Sequence, residues 1–307
     1  MRLILWKSIL VSSIIFPCLA FILYINPGGE NDFLYSLIDK KIRAESITGY
    51  KIIFGGGSST VFGINSQRIE DDLGIPVVNM GLHAGLGLLF PLNELERVSN
   101  KGDVIVLCIE YFLSDKDINN SLIQEINRFY PISKKVDFKN KIVSSLDSIK
   151  HFLLKYLLII QKNVKYFDVE IESIYKRKNF NFHGDLVGID DLESLPYDRL
   201  GSRTSLEWED YYSEVKKLNE FSQRMRVRDI QVLHIYPPYA RTEFEKNHQV
   251  IKKLHRFLKE NIEFEMLINP DDSVFDDTLF YDTVYHLNNL GREKYTEEIL
   301  SKLRPYF

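Results

Sequence analysis

The chain's pattern predicts an α/β fold of three layers, a parallel five-stranded sheet with helices on both faces. Short apolar runs bounded by turn residues read as buried strands. Helical patterns separate them, and strands alternating with helices form a parallel sheet covered on both sides. The 307 residues fit one large α/β domain, or one domain with an insertion.

The first element precedes that domain. Residues 8–25, SILVSSIIFPCLAFILYI, carry no charge. They approach the roughly 20 apolar residues that a spanning helix needs, and residues 3–6 extend the run past Lys7, which can snorkel. Trp6 and Tyr24 stand where aromatic belts form. Residues 1–30 are therefore expected to be an uncleaved signal anchor. The rival is a cleaved signal peptide, but no small-x-small site follows the run. A short N-terminal tail before a large domain predicts a single-pass protein of the cytoplasmic membrane with residues 31–307 outside the cytoplasm.

Within the domain, strands are expected at 51–54, 76–79, 104–109, 230–236 and 264–268. Helices are expected at 60–73, 87–98, 205–228, 241–261 and 290–303. The stretch from about 113 to 200 breaks the alternation. It is rich in charge, helical at 141–167, and reads as an insertion: packed on the domain, a lid, or a partner surface. Ligands of such a sheet bind beyond the carboxyl ends of its strands.

Composition excludes several classes. Net charge is −4 with acids and bases interspersed, so nucleic acid, which needs a concentrated basic surface, is not an expected partner. Two cysteines, Cys18 and Cys108, form no disulfide framework. No histidine–carboxylate cluster has zinc-like spacing, and no cofactor or metal is expected.

Two segments carry chemistry. The first strand runs into Phe54-Gly55-Gly56-Gly57-Ser58-Ser59-Thr60. Glycines allow a sharp strand-to-helix turn, and a hydroxyl at the helix start sits among outward N–H groups. That suits a nucleophilic serine. It would also suit a phosphate loop, but the P-loop lysine is missing and the G-x-G-x-x-G spacing is not met. Near the C-terminus, Asp282-Thr283-Val284-Tyr285-His286-Leu287-Asn288 precedes the last helix. Asp282 can orient His286 through Nδ1, leaving Nε2 for a serine proton.

Together these segments resemble the SGNH (GDSL-like) hydrolase family. Gly56-Gly57-Ser58 is similar to its first block, Gly81 in Val78-Asn79-Met80-Gly81 to its second, and Asp282 with His286 to its last. Asn181-Phe182-His183-Gly184-Asp185 and Tyr236-Pro237-Pro238 are similar to segments of membrane-anchored SGNH-like proteins from bacterial cell-surface polysaccharide gene clusters. The resemblance implies a flavodoxin-like sandwich and a Ser58–His286–Asp282 triad. It implies an oxyanion site from the N–H groups of Ser58 and Gly81 with help from Asn79. Ser59, His83, Glu110, Tyr111 and Tyr285 are expected at the pocket, and Tyr236-Pro237-Pro238-Tyr239 at its mouth.

Two departures stand out. The acid lies four residues before the histidine, not three, which leaves Asp276 and Asp277 as alternatives. The third block has Cys108-Ile109-Glu110-Tyr111-Phe112 where the family places an oxyanion-donating asparagine. Losing such a donor costs about 2.7–4 kcal/mol of transition-state stabilisation. The implied function is an esterase or O-acyltransferase acting on acetyl or other acyl esters of envelope polysaccharide, a transferase requiring a multi-spanning acyl-donor partner. The alternative is a degenerate scaffold or glycan-binding component. The other histidines read as core (His234), structural within the insertion (His183) or solvated (His151, His248, His255).

Overall fold

The computed structural model describes Ser13 and residues 32–116, 118–130, 174–188 and 194–307. Its strands are β1 (Ile52–Gly56), β2 (Val77–Asn79), β3 (Val104–Cys108), β4 (Gln231–Ile235), β5 (Tyr239–Ala240), β6 (Glu265–Met266) and β7 (Val274–Phe275). Five form one parallel sheet in the order β2-β1-β3-β4-β6. β5 and β7 pair separately, also in parallel. The direction of winding reverses between β1 and β3, which opens a crevice beyond their carboxyl ends.

Among the described residues the α-helices are α1 (Ser36–Ser46), α2 (Ser58–Gly63), α3 (Ser66–Leu73), α4 (Leu89–Val98), α5 (Asn120–Phe129), α6 (Tyr212–Val227), α7 (Arg241–Asn261) and α8 (Asn289–Leu303). Successive strand residues face opposite sides, and the core divides accordingly. Ile53, Val78, Ile105 and Val232 pack with Leu37 of α1, Leu95 of α4 and Phe221 of α6. Ile52, Phe54, Val77, Val106 and Leu233 pack with Ile69 of α3, Leu254 of α7 and Ile299 of α8. Burial on both faces explains why the strands read as unbroken apolar runs.

Several boundaries differ from expectation. The helix expected at 60–73 is two helices. Asn65 Oδ1 caps α3 by accepting from the Arg68 N–H at 3.1 Å, while its own N–H donates to Thr296 Oγ1 at 3.0 Å. The helix expected from 205 starts at Tyr212, because the N–H groups of Thr204 and Leu206 donate to Glu243 and Asn247 of α7 (2.6 and 2.7 Å). Tyr236 and Tyr239 are buried rather than at a pocket mouth.

The expected insertion contains α5 and, over 174–188, a loop. Gly184 (φ 95°) and Gly188 (φ 83°) adopt left-handed backbone there. Asn181 Oδ1 accepts from the N–H groups of His183 and Asp185 (3.0 and 2.9 Å). The loop is stitched to the edge of β2 where Asn79 N–H donates to the His183 carbonyl at 2.8 Å. Beneath it the buried Lys40 donates from Nζ to the carbonyls of Asn79 (2.9 Å) and Gly184 (2.5 Å). Desolvation pushes this amine down to about 7, partly opposed by Asp185. The helix expected at 141–167 and His151 lie outside the described residues, as does the expected membrane segment apart from Ser13. Among the described residues no helix is long and apolar enough to cross a membrane.

Candidate active site

The carboxyl ends of β1 and β3 deliver the turn that holds Ser58. It is tightly built: a Cβ on Gly56 would lie 1.9 Å from the Cys108 carbonyl oxygen, and one on Gly57 would lie 2.3 Å from Glu110 Oε1. Only glycine lets β1 pass this close to β3 and then turn into α2. Ser58 opens α2, half-buried, while Ser59 and Thr60 are buried.

His286 reaches Ser58 from the loop before α8. Its Nε2 lies 2.8 Å from Ser58 Oγ, and its Nδ1 lies 2.8 Å from Asp282 Oδ1. A carboxylate on Nδ1 fixes the tautomer: Nδ1–H donates to Asp282, and Nε2 accepts from the serine hydroxyl. The four-residue spacing works because residues 281–286 form a closed loop. Tyr281 N–H donates to the His286 carbonyl at 2.8 Å, and the His286 N–H donates to Thr283 Oγ1 at 3.1 Å. The two side chains meet across that loop. Asp276 and Asp277 do other work: Asp276 accepts from Thr278, and Asp277 from Thr242. Desolvation pushes the Asp282 carboxyl up, but hydrogen bonds from His286 and Tyr175 and the charge of His286 outweigh it and hold it below the usual range.

Two residues that sequence reasoning missed complete this arrangement. Phe62 lies under the imidazole, ring centroids 4.0 Å apart and planes 1° from parallel. It follows Ser58 by four residues on α2, so the two share one helix face. That spacing was a readable signal. Tyr175, from the insertion loop, donates its hydroxyl to Asp282 Oδ2, and the same oxygen lies 3.3 Å from His286 Nδ1. Nothing local marks Tyr175, which stands 107 residues from its partner.

Ser58 and His286 open on a cavity of about 680 Å³, also lined by His83, Glu110, Tyr111, Tyr175, Thr283 and Tyr285. Two of the three expected oxyanion donors, Gly81 and Asn79, are engaged within the protein. Gly81 N–H donates to Asn79 Oδ1 at 3.0 Å. Asn79 Nδ2 donates to the Thr60 carbonyl (2.9 Å) and Asp185 Oδ1 (2.8 Å), and the residue is fully buried. Both groups therefore brace the loop after β2 against the turn that holds Ser58. Ser59, expected at the pocket, faces inward: its Oγ and N–H donate to Glu110 Oε1 at 2.7 and 3.2 Å. Glu110 Oε2 and the Tyr111 hydroxyl are buried without a hydrogen-bond partner among the described residues. Phe112 takes left-handed backbone (φ 57°) and the Leu113 N–H donates to the Glu110 carbonyl at 3.0 Å, closing the turn that holds Glu110 against Gly57.

The remaining histidines stand apart. His234 is buried on β4 with Nδ1 unpartnered, and burial pushes its pKa down to about 3. His183 is buried with Nε2 3.3 Å from Glu70 Oε2. His255, expected to be solvated, is half-buried with Nδ1 3.2 Å from the Tyr236 hydroxyl. Cys108 is buried and free, and desolvation pushes its thiol up to about 12, which leaves it no nucleophilic thiolate. No protein-family model matches the chain, and no curated protein matches it.

Proposed function

We propose that the chain is an SGNH-type serine esterase or O-acyltransferase. The observation that carries the reading is the continuous path from Ser58 Oγ through His286 to Asp282, with both hydrogen-bond steps at 2.8 Å. That distance is within reach for proton transfer.

Ser58 Oγ attacks an ester carbonyl carbon as its proton passes to His286 Nε2. Asp282 holds the ring and stabilises the imidazolium. The tetrahedral intermediate collapses, the leaving alcohol takes the proton, and the acyl group remains on Ser58. Water or an acceptor hydroxyl then attacks, with His286 again as base, releasing acid or a new ester. The Ser58 N–H, in the first turn of α2 where N–H groups lack helical partners, is one donor to the oxyanion.

The resemblance to proteins of polysaccharide gene clusters supports acyl, especially acetyl, esters of envelope glycans as substrates. An apolar segment at 8–25 supports attachment to the cytoplasmic membrane. In the transferase form a multi-spanning partner supplies the acyl group, since one helix carries none across a bilayer. A scaffold reading draws on the Glu110 carboxylate where the family places an amide, and on the engaged Gly81 and Asn79.

A fluorophosphonate probe separates the two. We expect the wild-type chain to gain one phosphonyl group by intact mass, and Ser58→Ala and His286→Ala, still folded, to gain none. A folded wild type that stays unlabelled while a control serine hydrolase reacts moves the assignment to the scaffold.

A further inference from the structure

The loop after β2 brings to the cavity one polar side chain that this chemistry leaves unused. His83 begins the turn Ala84–Leu86, and its Nδ1 accepts the Gly85 N–H at 2.9 Å. A neutral imidazole that accepts at Nδ1 carries its hydrogen at Nε2. His83 Nε2 makes no hydrogen bond to any other described residue, and His83 lines the same cavity as Ser58 and His286.

Two of the three donors that the resemblance implies are committed elsewhere: Gly81 N–H and Asn79 Nδ2 are bonded within the protein. Glu110, when ionised, offers no hydrogen. A tetrahedral intermediate formed at Ser58 needs donors aimed at its oxygen.

We propose that His83, through its Nε2–H, is the side-chain donor to the substrate's carbonyl oxygen, standing in for the third-block amide. As the Ser58 Oγ–carbon bond forms, the carbonyl π pair moves onto oxygen, and His83 donates a hydrogen bond to it without releasing its proton. The state of the ring agrees. Desolvation lowers the pKa of His83, and the charge of His286 lowers it further. The imidazolium that forms on His286 during attack therefore keeps His83 neutral.

The inference rests on the acyl-transfer reading, and its test separates the two. The full chain hydrolyses p-nitrophenyl acetate in steady state, with wild type, Ser58→Ala, His83→Leu, His83→Asn and His83→Asp compared, each checked for an unchanged melting curve. We expect His83→Leu to lower kcat by roughly 10²–10³ with little change in KM, the size seen when one oxyanion donor is removed. Asparagine and aspartate can both accept the Gly85 N–H as an Asx turn, but only asparagine also offers a hydrogen. His83→Asn therefore recovers part of the lost rate and His83→Asp recovers none. Wild-type rates in His83→Asp or His83→Leu overturn the proposal and leave the triad standing. A wild type with no turnover and no labelling at Ser58 overturns both together.

Discussion

Tyr175→Phe removes one oxygen from the supports of His286, the base of the proposed mechanism. That hydroxyl donates to Asp282 Oδ2 and lies 3.3 Å from His286 Nδ1. A hydrogen bond to a charged group contributes about 1.5–3 kcal/mol. The Asp282 side chain keeps 22% of its surface open, so water replaces part of the lost bond. About 1 kcal/mol then remains, equivalent to about a fivefold change in rate. The assay is steady-state hydrolysis of p-nitrophenyl acetate by the full chain, with Asp282→Ala and the double variant completing a thermodynamic cycle. We expect kcat to fall about fivefold with KM unchanged. In the Asp282→Ala background the tyrosine substitution should have no further effect, because it acts through that carboxylate. A fall smaller than about twofold, or one that persists without Asp282, would refute the positioning argument.

Three further outcomes follow from the same geometry. Glu110→Gln keeps an acceptor for Ser59, removes a negative charge beside the nucleophile turn and adds an N–H there; kcat on the same ester should rise about tenfold, or about 1.4 kcal/mol, and a fall would count against an opposing charge. Burial pushes the Lys40 amine down to about 7 from 10.5. Between those values the unfolded chain binds a proton that the folded chain does not, so stability rises with pH by up to about 1.4 kcal/mol per unit. Urea titrations at several pH values should show this slope in wild type and its loss in Lys40→Met; equal slopes would sink the buried neutral amine. Gly56→Ala drives a Cβ to 1.9 Å from the Cys108 carbonyl oxygen. It should cost about 3 kcal/mol or more in denaturant unfolding, and an unchanged midpoint would mean the β1–β3 contact is looser than described.

The sheet and its order of helices were readable because they follow from periodicity. A strand buried on both faces is apolar at every position, and Ile52, Ile53 and Phe54 show this directly. The elements that failed at their ends were those whose limits depend on distant side chains. Asn65 breaks the expected helix where its side chain caps α3 and Thr296 of α8 takes its N–H. Residues 204–206 stay extended because Glu243 and Asn247 of α7 bind their N–H groups.

The site divides along the same line. The residues alone determined that Ser58 opens a helix after a glycine turn, and that Asp282 and His286 lie close together before the last helix, because chain neighbours are space neighbours. Phe62 belongs with them, as its i+4 spacing from Ser58 is a property of one helix. Tertiary structure alone decided the rest. It closed the 228-residue gap between Ser58 and His286 and brought Tyr175 onto Asp282. It also turned Asn79 from an expected oxyanion donor into a brace held by Thr60 and Asp185. The physical reason is that a hydrogen-bonding group's role depends on which partner reaches it first. For buried groups that partner comes from packing between segments far apart in the chain, which local residue patterns do not encode.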